Sequence, residues 1–233
     1  MQPDSTKPPI QASTVVRNIG QLVTVAQQPI AGASGVLQVI SDAAIAVHDG
    51  VIVWIGPDDH VELMFDSDPM SENDGITIVD AQGVVVTPGF VDSHTHLVFA
   101  GDRSEEFHLR RAGLSYGELL VQGRGILTTV NATRSADTTL LTEMAITRLH
   151  TMCQYGTTTV EAKTGYGLDM ITEEACLRIL NNLNALETSP SYKYMRVRVV
   201  PTFLGAHVVP PEYRERRSAY VDQIGRASCR ERV

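Results

Sequence analysis

The sequence predicts an α/β chain: the incomplete N-terminal part of a (β/α)8 TIM-type barrel, preceded by part of a small β-sandwich domain. Three observations predict it. Short β-branched runs broken by turn residues crowd the segment up to Val86. After Pro88 the rhythm becomes strand–helix, repeated in a row, as parallel βα units require. Polar residues fall just after successive strands of those units, at the edge where such folds gather their chemistry. A complete eight-stranded barrel takes about 250 residues by itself, so three βα units are its front part.

Bulk properties set the class. Of the 233 residues 43% are hydrophobic and 20% charged, the composition of an ordinary globular protein. The net charge of −8 argues against a nucleic-acid partner, which needs a basic stripe. No apolar run is long enough to span a membrane. The Pro-rich start lacks the apolar core of a signal peptide, and residues 1–13 are expected to be a flexible tail. Cys153, Cys176 and Cys229 form neither a disulfide framework nor a zinc-knuckle spacing, so a reduced, cytoplasmic protein is expected.

Residues 14–86 are expected to form the partial β domain. Val15 to Val25 is apolar and β-branched, and Ala44 to Ile55 alternates around Asp49-Gly50. Asp-Gly between two such runs predicts a hairpin, because a type I′ turn needs positive φ at both central positions. Ile76 to Val79 and Val84 to Val86 follow, separated by Gly83. So few short strands make a thin core and call for a partner segment.

The three βα units are expected over residues 87–223. A strand from Val84 to Asp92 leads into a long loop and then a helix from Asp137 to Tyr155. Leu141, Ala145, Leu149 and Met152 share one face of it, and Gly156 stands at its C-terminal cap. Strand Thr157 to Lys163 opens into Thr164-Gly165-Tyr166-Gly167. A second helix is expected to start at Thr172-Glu173-Glu174, with Cys176, Ile179, Leu180 and Leu183 as its apolar stripe. The third strand, Arg196 to Val200, runs on to His207, and a charged amphipathic segment follows Pro210-Pro211.

The candidate chemistry starts at His94-Thr95-His96. Side chains at i and i+2 of a strand share a face, so the two imidazoles can ligate one metal ion. Such an ion brings the pKa of its water towards neutrality. Two unrelated histidines at a strand end are the plainer alternative. Asp92 either orients an imidazole from behind or bonds to backbone, and the two readings are about equal. Arg103 offers a guanidinium fork to an acidic substrate, or it is a solvated loop residue. Tyr166, between glycines, can donate to a substrate oxygen or stack on the rim. His207 can polarise a carbonyl, move a proton, or cap a helix. Lys163 reads as structural, paired with Glu161 on the same strand face.

Together these residues resemble the metal-dependent amidohydrolase superfamily and, within it, the imidazolonepropionase family of histidine degradation. The superfamily element is Pro88-Gly89-Phe90-Val91-Asp92-Ser93-His94-Thr95-His96. The narrower match is Gly101-Asp102-Arg103 with Glu105-Glu106-Phe107, then Glu161 through Leu168, then Phe203 through His207, in family order, within a likeness running from Val15 to Gln223. The resemblance implies a hydrolase opening the ring of 4-imidazolone-5-propanoate to N-formimidoyl-L-glutamate. It implies one divalent ion, zinc or iron, on His94 and His96, and a small acidic substrate contacted by Arg103, Tyr166 and His207, the arginine meeting its propionate. The remaining metal ligands and the catalytic residues are expected beyond the end of this chain. A homodimer is one assembly open to the full-length protein. The alternatives are another cyclic amidohydrolase or deaminase of the superfamily, and an inactive fragment; this chain alone is expected to be inactive.

The sequence departs from the family in three places. Arg124 stands in Gln122-Gly123-Arg124-Gly125 where the family has another glycine, and Glu187 to Lys193 reads as a loop insertion. Residues 224–233, Ile224 to Val233, have no family counterpart and a sudden basic bias, so they are expected to be a non-native or disordered tail.

Overall fold

The computed structural model describes residues 11–26, 30, 32–64, 75–186 and 197–230. The expected loop insertion Glu187 to Lys193, most of the N-terminal tail and the last three residues lie outside the described residues. The chain divides into two compact units, meeting in sequence at Pro88 and Gly89. No helix among the described residues is long and apolar enough to cross a membrane.

The first unit holds one mixed five-stranded sheet. Strands β1 (Thr14–Val23), β2 (Val39–His48), β3 (Val51–Pro57) and β4 (Thr77–Asp80) lie in the order β3-β2-β1-β4, and β5 (Val85–Val86) also pairs with β1. The expected hairpin forms: β2 and β3 are antiparallel, His48 opposes Val51, and Asp49 and Gly50 take φ of 49° and 78°. The alternation expected on the second strand is not what packs. Ala43, Ala44, Ile45 and Ala46 are all buried. Ala43 and Ile45 join Ile19, Leu22 and Ile40 on one side, and Ala44 and Ala46 join Val15 and Val61 on the other. Val61 belongs to a 3-10 turn, Asp58–Met64, anchored by Arg17, whose Nη2 reaches Asp58 Oδ2 at 2.8 Å while Nε reaches Oδ1 at 3.2 Å.

The second unit is built on a three-stranded parallel sheet, β6 (Phe90–Thr95), β7 (Thr157–Lys163) and β8 (Arg198–Thr202), in sequential order. The single strand expected from Val84 to Asp92 is divided, with Thr87-Pro88-Gly89 between β5 and β6. Proline cannot donate to a ladder, which accounts for the break. The long loop expected after it is instead three helices, α1 (Ser104–Arg111), α2 (Tyr116–Val121) and α3 (Ile126–Ser135). Ser115 and Glu118 form a reciprocal capping box at α2, a start signal available in the sequence.

Helix α4 (Thr138–Gln154) is capped by Asp137, whose carboxylate accepts the Leu140 N–H at 2.8 Å. Helix α5 (Met170–Leu186) begins ahead of the expected Thr172, because Asp169 accepts both the N–H and the hydroxyl of Thr172. The predicted stripes hold. Leu141, Ala145 and Leu149 of α4 and Cys176, Ile179, Leu180 and Leu183 of α5 bury against Val160, Ala162, Val197 and Val199, with Met152 partly buried beside them. The helices therefore cover the Val160–Ala162 face of β7, which turns Thr159, Glu161 and Lys163 to the other face.

Helix α6 (Arg217–Arg230) differs from expectation. It continues through Ile224 into the segment expected to be a non-native or disordered tail, which is helical here as far as Arg230, and Ile224 is 2% exposed. The signal is Tyr220, also buried and four residues earlier, so both side chains share one helix face.

Candidate active site

Strand β6 presents the His-x-His pair less simply than an even strand would. Its register against β7 shifts between Asp92 and Thr95, and the strand ends there. One extra residue on β6 therefore sits around Ser93-His94, and His96 lies past the strand in the following loop. The rings still converge, with centroids 5.9 Å apart. Zn–N bonds of about 2.0–2.1 Å put each ring centroid about 3.2 Å from a shared ion, so two ligating rings must lie within about 6.4 Å of each other. The pair meets that limit.

His96 has the character of a ligand. Its Nδ1 is buried without a hydrogen-bond partner among the described residues. Burial, and then the neighbouring charges of His207 and His94, hold its pKa below the usual imidazole value, against a smaller upward pull from the Thr164 backbone. A neutral imidazole with an unspent nitrogen is the form that binds metal. The fit is partial, however: no group of three His, Cys, Asp or Glu suited to a metal occurs among the described residues.

Asp92 does not orient an imidazole. Its Oδ1 accepts the backbone N–H of His94 at 3.2 Å, the plainer of the two sequence readings. Thr95 ties β6 to β7 by donating to the Glu161 carbonyl at 2.8 Å. On the next strand Lys163 and Glu161 form the expected ion pair, and Thr202 of β8 donates to the same Glu161 oxygen at 2.8 Å. The hydrogen bonds from Lys163 and Thr202 hold the Glu161 carboxyl below its ordinary pKa, with a further pull from His94. Glu161 and Lys163 also act electrostatically on the histidine pair, since the Lys163 charge lowers the His96 pKa. Lys163 is therefore near enough to His96 to act on it, beyond the structural pairing that the sequence suggests.

Tyr166 and His207 arrive from the loops after β7 and β8. The Tyr166 ring lies 4.7 Å from that of His96, and the His207 ring 6.3 Å from it. Phe99, after β6, backs Tyr166 at 5.7 Å, and the Arg148 guanidinium lies 3.6 Å over the Phe99 ring. Arg148 also donates to the carbonyls of Leu97 and Phe99, at 2.9 and 3.0 Å, which fixes the chain after His96. Helix periodicity gave no sign of this inward-reaching arginine.

The loops carrying Tyr166 and His207 are themselves joined. Thr164 donates its N–H to the Thr202 carbonyl at 2.9 Å, and its hydroxyl accepts from the Leu204 N–H at 3.0 Å. Gly165 lies against His207: a Cβ there would come 2.7 Å from His207 Cε1, and its φ is +121°. His207 Nδ1 lies 3.0 Å from the Leu204 carbonyl oxygen. A carbonyl only accepts, so Nδ1 carries the hydrogen, and Nε2 of the neutral ring holds the lone pair.

Arg103 stands elsewhere. It is exposed and lines a cleft with Glu106, Phe107, Arg110, Arg111 and Tyr116, and none of the four convergent rings lines that cleft. Its neighbour Asp102 accepts from Ser104 at the start of α1, at 2.9 Å from the N–H. Arg124, the departure at the loop, pairs with Glu105 at 3.1 Å on the surface. The structure thus brings together His94, His96, Tyr166 and His207, but places Arg103 among other arginines.

The chain is therefore a mixed α/β protein whose parallel βα unit gathers two histidines, a tyrosine and a third histidine at the carboxyl edge of its strands. It is a homologue of the imidazolonepropionases. It is 46% identical over 206 residues to the imidazolonepropionase of Symbiobacterium thermophilum, which covers 88% of this chain and 45% of that protein. It is 46% identical over 185 residues to that of Shewanella oneidensis, covering 79% of this chain and 42% of the relative. The chain thus spans less than half the length of these curated relatives. No family model matches it. Among solved structures, E. coli guanine deaminase superposes with a TM-score of 0.47 at 21% identity, over 73% of this chain and 35% of that one. A Klebsiella pneumoniae 5-methylcytosine deaminase does so at 0.49 and 15%, over 93% and 49%.

Proposed function

We propose that the chain is the part of an imidazolonepropionase that holds two metal ligands and grips the substrate, on the front strands of an amidohydrolase (β/α)8 barrel. The reaction is the hydrolysis of 4-imidazolone-5-propanoate: water adds to the ring carbonyl, the ring C–N bond breaks, and N-formimidoyl-L-glutamate leaves. The observation that carries this reading is the convergence of His94, His96, Tyr166 and His207 from three successive strand ends. Coincidental solvated residues need no such alignment.

His94 and His96 would hold a divalent ion, zinc or iron, together with donors outside the described residues, and the bound ion would supply an activated water. The chain's own residues would grip the substrate and assist proton movement beside catalytic residues that it does not itself contain. Tyr166 donates its phenolic hydrogen to a substrate oxygen. His207, with its lone pair on Nε2, takes a proton from the reacting water or returns one to the departing nitrogen. Arg103 meets the propionate, as the family resemblance implies. The first unit belongs to a small β-sandwich, and a reduced, cytoplasmic setting suits the free Cys153 and Cys176.

The test is turnover by the protein that contains this chain together with the remaining barrel strands. Imidazolone propionate should be consumed with appearance of N-formimidoyl-L-glutamate, in preference to other cyclic amides or to aminoheterocycles that would be deaminated. Faster turnover of one of those competitors would overturn the assignment. Tyr166→Phe and His207→Asn should each lower kcat by about 100-fold or more.

A further inference from the structure

The loop that carries Tyr166 is unusual in its backbone and in what holds it. Leu168 is fully buried yet takes φ of 52°, a left-handed conformation that a branched side chain seldom adopts. Such a loop persists only where its surroundings impose it. Here they do, through Glu173, a completely buried residue in the first turn of α5. Its Oε1 accepts both the Gly167 and the Leu168 N–H, each at 2.8 Å. From the other side, Arg134 of α3 donates Nε to the Gly167 carbonyl at 2.6 Å. Arg134 is anchored in turn by Asp169 at 2.9 Å and Glu212 at 2.8 Å.

Gly167 is thus gripped at its N–H and at its carbonyl, one residue beyond Tyr166. The cost of the arrangement is visible, since Glu173 Oε2 and Arg134 Nη2 are buried without partners among the described residues. A buried carboxylate is an expensive way to close a loop that backbone or a small polar side chain could close. What it adds is stiffness, because two charge-assisted bonds converge on a single oxygen.

We propose that Glu173, assisted by Arg134, is a positioning residue for Tyr166: its carboxylate fixes the left-handed loop so that the phenol is held against His96. This rests on the reading of Tyr166 as a substrate contact, but the clamp is measurable without turnover. The experiment is residue-resolved amide hydrogen exchange and tyrosine-ring NMR on the full 233-residue chain, comparing Glu173→Leu with Glu173→Gln. Glu173→Leu should speed exchange at Gly167 and Leu168 by at least about tenfold, leave the Val160 and Ala162 amides protected, and move the Tyr166 ring resonances as the ring leaves His96. Glu173→Gln, which keeps the accepting oxygen, should restore most of the protection and the ring shift.

Unchanged exchange and unchanged Tyr166 resonances in Glu173→Leu would overturn the proposal. So would equal acceleration across the whole unit, or a Glu173→Gln chain as loose as Glu173→Leu. If Glu173→Leu fails to fold, Arg134→Met decides: a displaced Tyr166 ring with faster loop exchange supports the clamp, and an undisturbed loop refutes it. Failure of the enzymatic reading would appear differently, as an unsubstituted protein with an intact clamp and no turnover.

Discussion

The two units of this chain use the same materials for opposite ends. In the first, charge closes onto local structure: Arg17 and Asp58 form a two-point pair that also takes the Asn18 N–H and locks the 3-10 turn to β1. Its histidines, His48 and His60, sit near the neighbouring carboxylates of Asp49 and Asp59. In the second unit polar groups are buried at the loops and left partly unspent, at His96 Nδ1, Arg134 Nη2 and Glu173 Oε2. Leaving a buried polar group unsatisfied costs about 1–3 kcal/mol, and the first unit bears that cost too, at Thr24 Oγ1 and His48 Nδ1. The difference is one of place: in the second unit the unspent atoms of His96 and Glu173 belong to, or hold, the loops that carry the converging rings.

The comparison can be broken most forcefully through the core. Leu180→Ala removes a fully buried side chain from α5 and should destabilise the second unit by about 2–5 kcal/mol. Amide exchange in β7 and β8 should rise while the Asp49-Gly50 hairpin keeps its protection. Equal loss in both units would show that they are not separate folding modules.

Gly165→Ala is smaller and more local. The new methyl group would meet His207 at 2.7 Å, at a φ of +121° that an L side chain resists, at a cost of roughly 1–3 kcal/mol. His207 should swing away from His96, seen as loss of the interaction between their imidazole resonances, while the core of the first unit stays unchanged. Retention of that interaction would contradict the account of how the two loops meet.

The smallest effect expected is in pH dependence: both units lose stability as pH falls, but in different windows. His96 resists protonation when folded, so below its usual value of 6.5 the unfolded chain binds the proton more readily and the second unit loses stability as pH falls. Asp58 has a folded pKa lowered chiefly by its hydrogen bond to Arg17, so its contribution is present above 3.8 and lost only as pH falls through the lower folded value. Between about pH 7 and about pH 5 the second unit should soften and the first should not. A second unit indifferent to that change would rule out His96 as the sensitive group.

Local patterns told most of the architecture. Asp49-Gly50 specifies its own turn, Asp137 its own cap, and the Leu141 and Ile179 stripes their own faces, because each depends on residues within one or two turns. What escaped was set by distant partners. Val15 and Val61 cover the second face of β2, which erases the alternation expected there. Residues 104–135 read as loop because their helices are short, of 8, 6 and 10 residues, and show no sustained apolar stripe. At the site, His94, His96, Tyr166 and His207 were legible from their places after strands, and their convergence follows from parallel pairing. Arg148, Glu173 and Arg134 were not, because on a helix a charged residue that reaches inward reads the same as one facing solvent. The location of Arg103 in a separate cleft follows from α1, which no signal in the loop announced.

Metal binding by the protein that contains this chain together with the remaining barrel strands tests most directly the claim that the second unit carries the chemistry. Calorimetric titration with zinc should show one saturable site per chain, lost in His94→Ala or His96→Ala and kept in His48→Ala and His60→Ala. Zinc binding that survives both substitutions in the second unit, or that disappears with those in the first, would contradict it.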